Sequence, residues 1–259
     1  MVEPEEPTVR TALVRRPSPR LADGLVTHID RTPVDAELAA RQHDAYVAAL
    51  REAGWGVREL PEADDLPDGV FVEDTVVVCG GLAVLGRPGA PERRAEVASV
   101  ERAVTELGLE IARIDGEATL DGGDVLQVGM TVYVGRSCRT NEDAICRLPR
   151  LLGTRGRHVV PVQVNGCLHL KTAMTALPDG TLIGNPDWVD TSALPGLRVA
   201  PEPSGAHGVV LGEKQLLIAA SAPRTAEQLR EEGYEVSVVD ISEFEKMEGC
   251  VTCLSVLIP

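Results

Sequence analysis

VFVEDTVVVCGGLAVLGRPGAPERRAEVASVERAVTELGLEIARI, residues 70–114, holds one whole structural unit of the chain. The apolar run 70–78, then Gly80-Gly81, then the run 82–85 reads as a β-hairpin. A helix is predicted from about residue 91 to 107, with Val97, Val100, Val104 and Leu107 on one face. Gly108 stops it, and a strand follows over 109–114. The same order recurs elsewhere. Leu38, Ala45, Tyr46, Ala49 and Leu50 lie at helical spacing after Thr32-Pro33, and Gly54 and a strand over 55–60 follow. Helices at 141–152 and 223–232 are followed by Gly153 and Gly233, then by strands at 158–162 and 234–239. Further hairpins read at 125–128 with 132–134, 170–176 with 182–183, and 209–211 with 216–219. The last β run, 251–258, is predicted to pair with 11–14. Five copies of a hairpin–helix–strand unit result, spaced as in radial architectures, and the pairing of the termini closes a ring. The third hairpin's unit is irregular, its helical segment near 187–192 being interrupted by Pro186 and Pro195.

The 259 residues suit one domain, read as 9–259, behind a loose acidic N-terminus over 1–8. A net charge of −15 opposes a nucleic-acid partner, and 3% aromatics leave little for a base-stacking platform. No apolar run of about 18 residues predicts a membrane span. The start lacks the basic and apolar segments of a secretory signal, so a cytoplasmic protein with reduced thiols is expected. Among the six cysteines, Cys250 and Cys253 form a lone C-x-x-C. A zinc site would need a second pair or two placed histidines, and a redox motif would be expected near the start of a βα unit.

Polar residues recur where each hairpin begins: Glu73 and Asp74; Asp121, Gly122, Gly123 and Asp124; His169 and Lys171; His207; Cys250 and Cys253. Around an axis these positions converge, putting carboxylates, an imidazole and a thiol in one central pocket. Each also has a plainer reading. Glu73 and Asp74, on opposite faces of a buried strand, could each be held with a cation in a purely structural ion pair. The DGGD glycines could serve a turn, His169 could be a satisfied core histidine, and Cys253 a core thiol.

The segments FVEDT (71–75), GRPGAPERR (86–94), LDGGDVL (120–126), CRTN (138–141), LHLKT (168–172) and VTCLSVLI (251–258) together resemble the dimethylargininase (dimethylarginine dimethylaminohydrolase) family of the guanidino-group-modifying pentein superfamily. The resemblance covers nearly the whole chain. It implies an α/β fold, a five-fold pseudosymmetric propeller of ββαβ-type units around a central active-site pocket, in agreement with the repeat count. It implies hydrolysis of Nω-methylated arginine to citrulline and methylamine or dimethylamine, without metal or organic cofactor. By motif position, Cys253 matches the nucleophile, His169 the general acid/base and Asp121 the carboxylate behind it. Leu25, Asp68, Glu73, Asp74, Arg93, Arg139 and Met247 match substrate-contacting positions. The expected partner is a cationic amino acid, with homodimerisation left open. Arginine deimination, another guanidino hydrolysis and a non-catalytic amino-acid sensor stand as alternatives, since one or two methyl groups change binding by only about 1–3 kcal/mol.

Overall fold

Short strands and single helices alternate around a ring in the computed structural model, which describes residues 10–153 and 155–259. The N-terminus expected to be loose, 1–8, lies outside the described residues. β1 (Thr11–Val14), α1 (Ala36–Glu52) and β2 (Gly56–Glu59) come first. A hairpin of β3 (Val76–Cys79) and β4 (Leu82–Leu85) leads through α2 (Val97–Glu106) to β5 (Glu110–Arg113). The next hairpin, β6 (Val125–Val128) and β7 (Thr131–Arg136), leads through α3 (Glu142–Gly153) to β8 (His158–Gln163). A one-turn helix, α4 (Leu170–Ala173), precedes β9 (Met174–Ala176) and β10 (Leu182–Gly184), and β11 (Arg198–Val199) completes that unit. The remaining elements are β12 (Val209–Val210), β13 (Gln215–Ala219), α5 (Pro223–Glu231), β14 (Glu235–Val239), the short α6 (Ser242–Glu245) and β15 (Val256–Ile258).

Among the described residues these strands make five three-stranded sheets, ordered β15-β1-β2, β3-β4-β5, β6-β7-β8, β9-β10-β11 and β12-β13-β14. Each sheet has one antiparallel pair and one parallel pair. The parallel step needs a crossover, which a helix supplies in four units and two 3₁₀ turns, Pro186–Trp188 and Thr191–Ala193, supply between β10 and β11. Thr11 pairs with Ile258 and Leu13 with Val256, so the ends of the chain join in one sheet and complete the five-fold α/β propeller. No helix among the described residues is long and apolar enough to cross a membrane.

The apolar core lies in the seams between neighbouring sheets. Leu13 and Val256 pack with Val76, Leu85 and Val104 in one seam. Val77 and Val84 pack with Val132 and Leu148 in the next, and Leu126 and Val162 with Met174 and Leu182 in the third. Ile183 packs with Leu216 and Leu229, and Val209 and Leu217 with Tyr46 and Leu50, completing the circuit. With the apolar surface placed in the seams, the axis is free for polar groups.

Several elements begin differently from the sequence expectation. Residues 70–75 do not extend β3; Val72–Thr75 is a 3₁₀ turn. Likewise Leu170–Ala173 is helical, and residues 251–254 form a turn before β15. The helix expected from 91 starts as a 3₁₀ segment, Pro91–Glu96, before α2. Glycine stops after α1, α2 and α5 hold, Gly108 at φ +78 being typical. α3 instead runs through Gly153, and the left-handed residue is Gly156 at φ +68.

Candidate active site

The turns before the inner strands meet at the propeller axis, and they carry the polar residues. Gly123 N–H donates to Asp74 Oδ1 at 3.1 Å, Leu170 N–H to Asp124 Oδ1 at 2.9 Å, and Glu73 N–H to the Cys253 carbonyl at 3.3 Å. The approach is close enough to require glycine. A Cβ on Gly123 would lie 2.7 Å from both Asp74 Oδ1 and His169 Nδ1. The second glycine of DGGD therefore does more than allow a turn.

His169 Nε2 lies 3.1 Å from Asp121 Oδ2, and its Nδ1 is 3.7 Å from Asp74 Oδ1. Burial alone would lower the imidazole pKa, but Asp74, Asp124 and Asp121 raise it to about 9. It is an imidazolium at neutral pH. Burial pushes Asp74 up, yet His169 and Arg93 outweigh it and hold that carboxyl at about 2. Asp121 accepts from Gly89 N–H at 2.9 Å and faces Arg139 Nη1 at 3.4 Å.

Arg93 Nη1 donates to Asp74 at 2.5 Å, and its Nε and Nη2 donate to Glu96 at 3.0 and 2.8 Å. It also donates to the Phe71 carbonyl. Its guanidinium is thus largely engaged within the protein. Leu25 N–H donates to Asp68 at 3.1 Å, and burial raises the Asp68 carboxyl despite Arg93. Glu248, at φ +59, accepts from Thr27 N–H, Thr27 Oγ1–H and His28 N–H, strapping the Leu25 segment to the Met247 segment.

Cys253 stands in a turn closed by its N–H to the Cys250 carbonyl at 3.1 Å. Tyr46 O–H, from α1, donates to the Val251 carbonyl at 2.9 Å and fixes that turn to the core. The two sulfurs are 3.3 Å apart, and Cys250 N–H donates to Cys253 Sγ at 3.4 Å. The sulfur–sulfur hydrogen bond lowers the Cys250 thiol well below its usual range and raises Cys253, buried beside Glu73 and Asp74, well above it. Ionisation of one sulfur thus opposes ionisation of the other.

Leu25, Asp68, Asp74, Arg93, Arg139, His169, Met247 and Cys253 all line one cavity of about 20 Å³. Asp121 stands behind His169. Glu73 faces the other way: its carboxylate accepts from Lys171 at 2.6 Å and Thr252 at 2.9 Å, beside a separate cavity of about 240 Å³. Burial raises Glu73 to about 7 against the pull of Lys171. The central pocket has room for about one water. A cavity of about 520 Å³ containing His28, Trp188 and His207 adjoins it, sharing Leu168, Glu248 and Gly249.

Glu96 and Phe71 belong to the site but were not singled out from sequence. Glu96 had one signal, its position three residues after Arg93. Asp74, Asp121 and His169 place one ligand atom each within 4.8 Å of one another, the one potential metal cluster among the described residues. These carboxylates already hold Arg93, Arg139 and two backbone N–H groups, and the imidazole is protonated, so the donor set suits an ion-pair network better than a metal.

A family profile described as "N,N dimethylarginine dimethylhydrolase, eukaryotic" matches residues 29–183. The N(G),N(G)-dimethylarginine dimethylaminohydrolase of Streptomyces coelicolor is 56% identical over 248 residues, covering 95% of this chain and 96% of that protein. A crystal structure of dimethylarginine dimethylaminohydrolase as an adduct with S-methyl-L-thiocitrulline superposes at a TM-score of 0.90, with 30% identity over 96% of this chain and all of the other. The Pseudomonas aeruginosa enzyme, as a cysteine-to-serine mutant with citrulline, superposes at 0.87, again with 30% identity, over 96% of this chain and 99% of its own. With sequence, fold and repeat agreeing over nearly its full length, this chain belongs to the dimethylarginine dimethylaminohydrolase family.

Proposed function

We propose that the protein hydrolyses Nω-methylated L-arginine, both the asymmetric dimethyl and the monomethyl form, to L-citrulline and dimethylamine or methylamine. The observation that carries the reading is a thiol and an imidazolium facing one cavity that also holds carboxylates and an arginine fork, Cys253 and His169 beside Asp74, Asp68 and Arg139. Residues 9–259 act as one catalytic domain in this reading, with a small cationic amino acid as ligand. A cytoplasmic setting fits, because the nucleophilic thiol has to stay reduced.

A guanidinium carbon is a weak electrophile, so a thiolate is the suitable attacking group. The hydrogen bond with Cys250, burial, and the nearby Glu73 and Asp74 all raise Cys253; a substrate cation seated there opposes the rise and favours the thiolate on Cys253. Asp74 holds the guanidinium nitrogens. Attack by Cys253 gives a tetrahedral adduct. His169 gives its proton to the departing amine, the C–N bond breaks, and an S-linked thiouronium remains. Neutral His169 then takes a proton from water, whose oxygen attacks the same carbon and expels the thiolate, leaving citrulline. Asp121 keeps the imidazole oriented and stabilises its charged form. Arg139, with a single long contact to Asp121, is the freer fork for the substrate carboxylate, while Arg93 orients Asp74. Asp68 suits the α-ammonium. Because the cavity holds about one water, the Leu25–Glu248 strap has to part before substrate enters, and the adjoining larger cavity is the approach.

Citrulline formation by the wild type and Cys253→Ser tests the reading. Dimethylarginine turnover should fall by about 10³-fold or more in the variant, with the fold intact. Near-normal citrulline production by it would reject the nucleophile. Agmatine, which lacks the carboxylate, should be a poor substrate; faster turnover of arginine than of its methylated forms would favour deimination instead.

A further inference from the structure

The proposed reaction needs one sulfur, and the site holds two. Cys250 Sγ lies 3.3 Å from Cys253 Sγ, both side chains are buried, and the turn that runs from Cys250 to Cys253 puts them on the same side. Thr252 Oγ1, 3.2 Å from Cys250 Sγ, holds that sulfur in place. A disulfide requires about 2.0 Å, so the sulfurs must close by roughly 1.3 Å, a movement within reach of side-chain rotation. Of the four other cysteines, Cys167 contacts the His169 carbonyl at 3.5 Å, Cys138 contacts His28 at 3.8 Å, Cys146 contacts Glu142 at 3.8 Å, and Cys79 packs in an apolar seam. In its closed state the cavity beside Cys253 takes about one water, a size that favours the smallest oxidants over a tripeptide thiol.

We propose that Cys250 is a resolving cysteine: a small hydroperoxide drives Cys250 and Cys253 into a reversible disulfide that switches the enzyme off and keeps Cys253 from irreversible oxidation. The inference rests on the reading of Cys253 as nucleophile. Of the two sulfurs, Cys253 is the one that lines the cavity; its thiol gives up a proton and attacks one peroxide oxygen, an S–O bond forms, the O–O bond breaks, and the released hydroxide takes that proton and leaves as water. The Cys250 sulfur then attacks the sulfenic sulfur. The S–S bond forms, the S–O bond breaks, and the hydroxyl departs as water with the Cys250 proton. The two thiols are oxidised by two electrons and the peroxide is reduced to two waters. A dithiol reverses the step by exchange. With Cys250 absent, the sulfenic acid has no partner and proceeds to the sulfinic acid, which a dithiol does not restore.

The test treats wild type, Cys250→Ser and Cys250→Ala with hydrogen peroxide, then with dithiothreitol, each normalised to its own untreated activity. Intact mass and peptide mapping are read alongside, and thermal melts confirm that each variant is folded. Wild type should lose two hydrogens and gain no oxygen, with residues 250 and 253 linked, and recover to within about twofold on reduction. The variants should gain two oxygens at Cys253 and stay below about a tenth of their starting activity. Oxygen addition without a disulfide in wild type, linkage of Cys253 to Cys138 or Cys167, or equal recovery by the variants would overturn the proposal. The mapping does not depend on turnover, so failure of the nucleophile assignment, read in Cys253→Ser, would be told apart.

Discussion

His169 shows how much at the residue scale depends on neighbours. Its imidazole is buried, which should favour the neutral ring, yet three carboxylates hold its proton to about 9. In the proposed mechanism this keeps the general acid loaded at neutral pH. In the free enzyme, kcat/KM should fall on the alkaline side with an apparent pKa near 9, measured from initial rates across pH. A fall centred near the ordinary value of 6.5 would reject the network. Stability follows the same proton. The folded pKa exceeds the unfolded one, so the contribution is fully present below 6.5 and is lost as pH rises through about 9. Glu73, raised from 4.5 to about 7, acts with the same sign at lower pH. The melting temperature should therefore decline from pH 6.5 to 9. That the chain carries a histidine, aspartates and a late cysteine with catalytic potential was legible in its motifs. That Glu73 turns away toward Lys171, and that Arg93 is engaged by Glu96, was not, because side-chain partners come from segments distant in sequence.

At the scale of elements, the 3₁₀ turns before the inner strands are what make a site. An apolar run with two acids inside reads as a strand by composition, but a ladder would send Glu73 and Asp74 to opposite faces of a sheet. Ending the run in the turn Val72–Thr75 instead brings Asp74 to the axis, against the Gly122–Asp124 turn. Gly123 is the contact point. Gly123→Ala should lower kcat/KM by about 10–10²-fold, because its methyl would displace the His169 ring and Asp74 from their positions. Kinetics together with a thermal melt check this; an active variant with unchanged kinetics would mean that the two turns are free to separate.

For the whole molecule, stability resides in the seams and chemistry at the axis. The sheet that joins the chain's ends is part of both, because β15 follows the Cys253 turn directly. Leu13, fully buried opposite Val256, closes that seam. Leu13→Ala should cost about 2–5 kcal/mol of stability, measured by urea unfolding. Loss of stability with kcat retained in the folded fraction would match a seam role. A change below about 0.5 kcal/mol would indicate that ring closure contributes little.

The sequence by itself determined the repeating unit, its count and the closure of the ring, because hydrophobic period and glycine stops are local signals that recur in four of the five copies, and hairpin signals mark the other. It also marked the residues proposed to carry the chemistry. Only the tertiary structure decided which way those residues point, which cation each carboxylate holds, how small the closed cavity is, and that Cys250 touches Cys253. These depend on turns from different units meeting at one axis, where burial and charge set each proton's place, and no local pattern encodes that meeting.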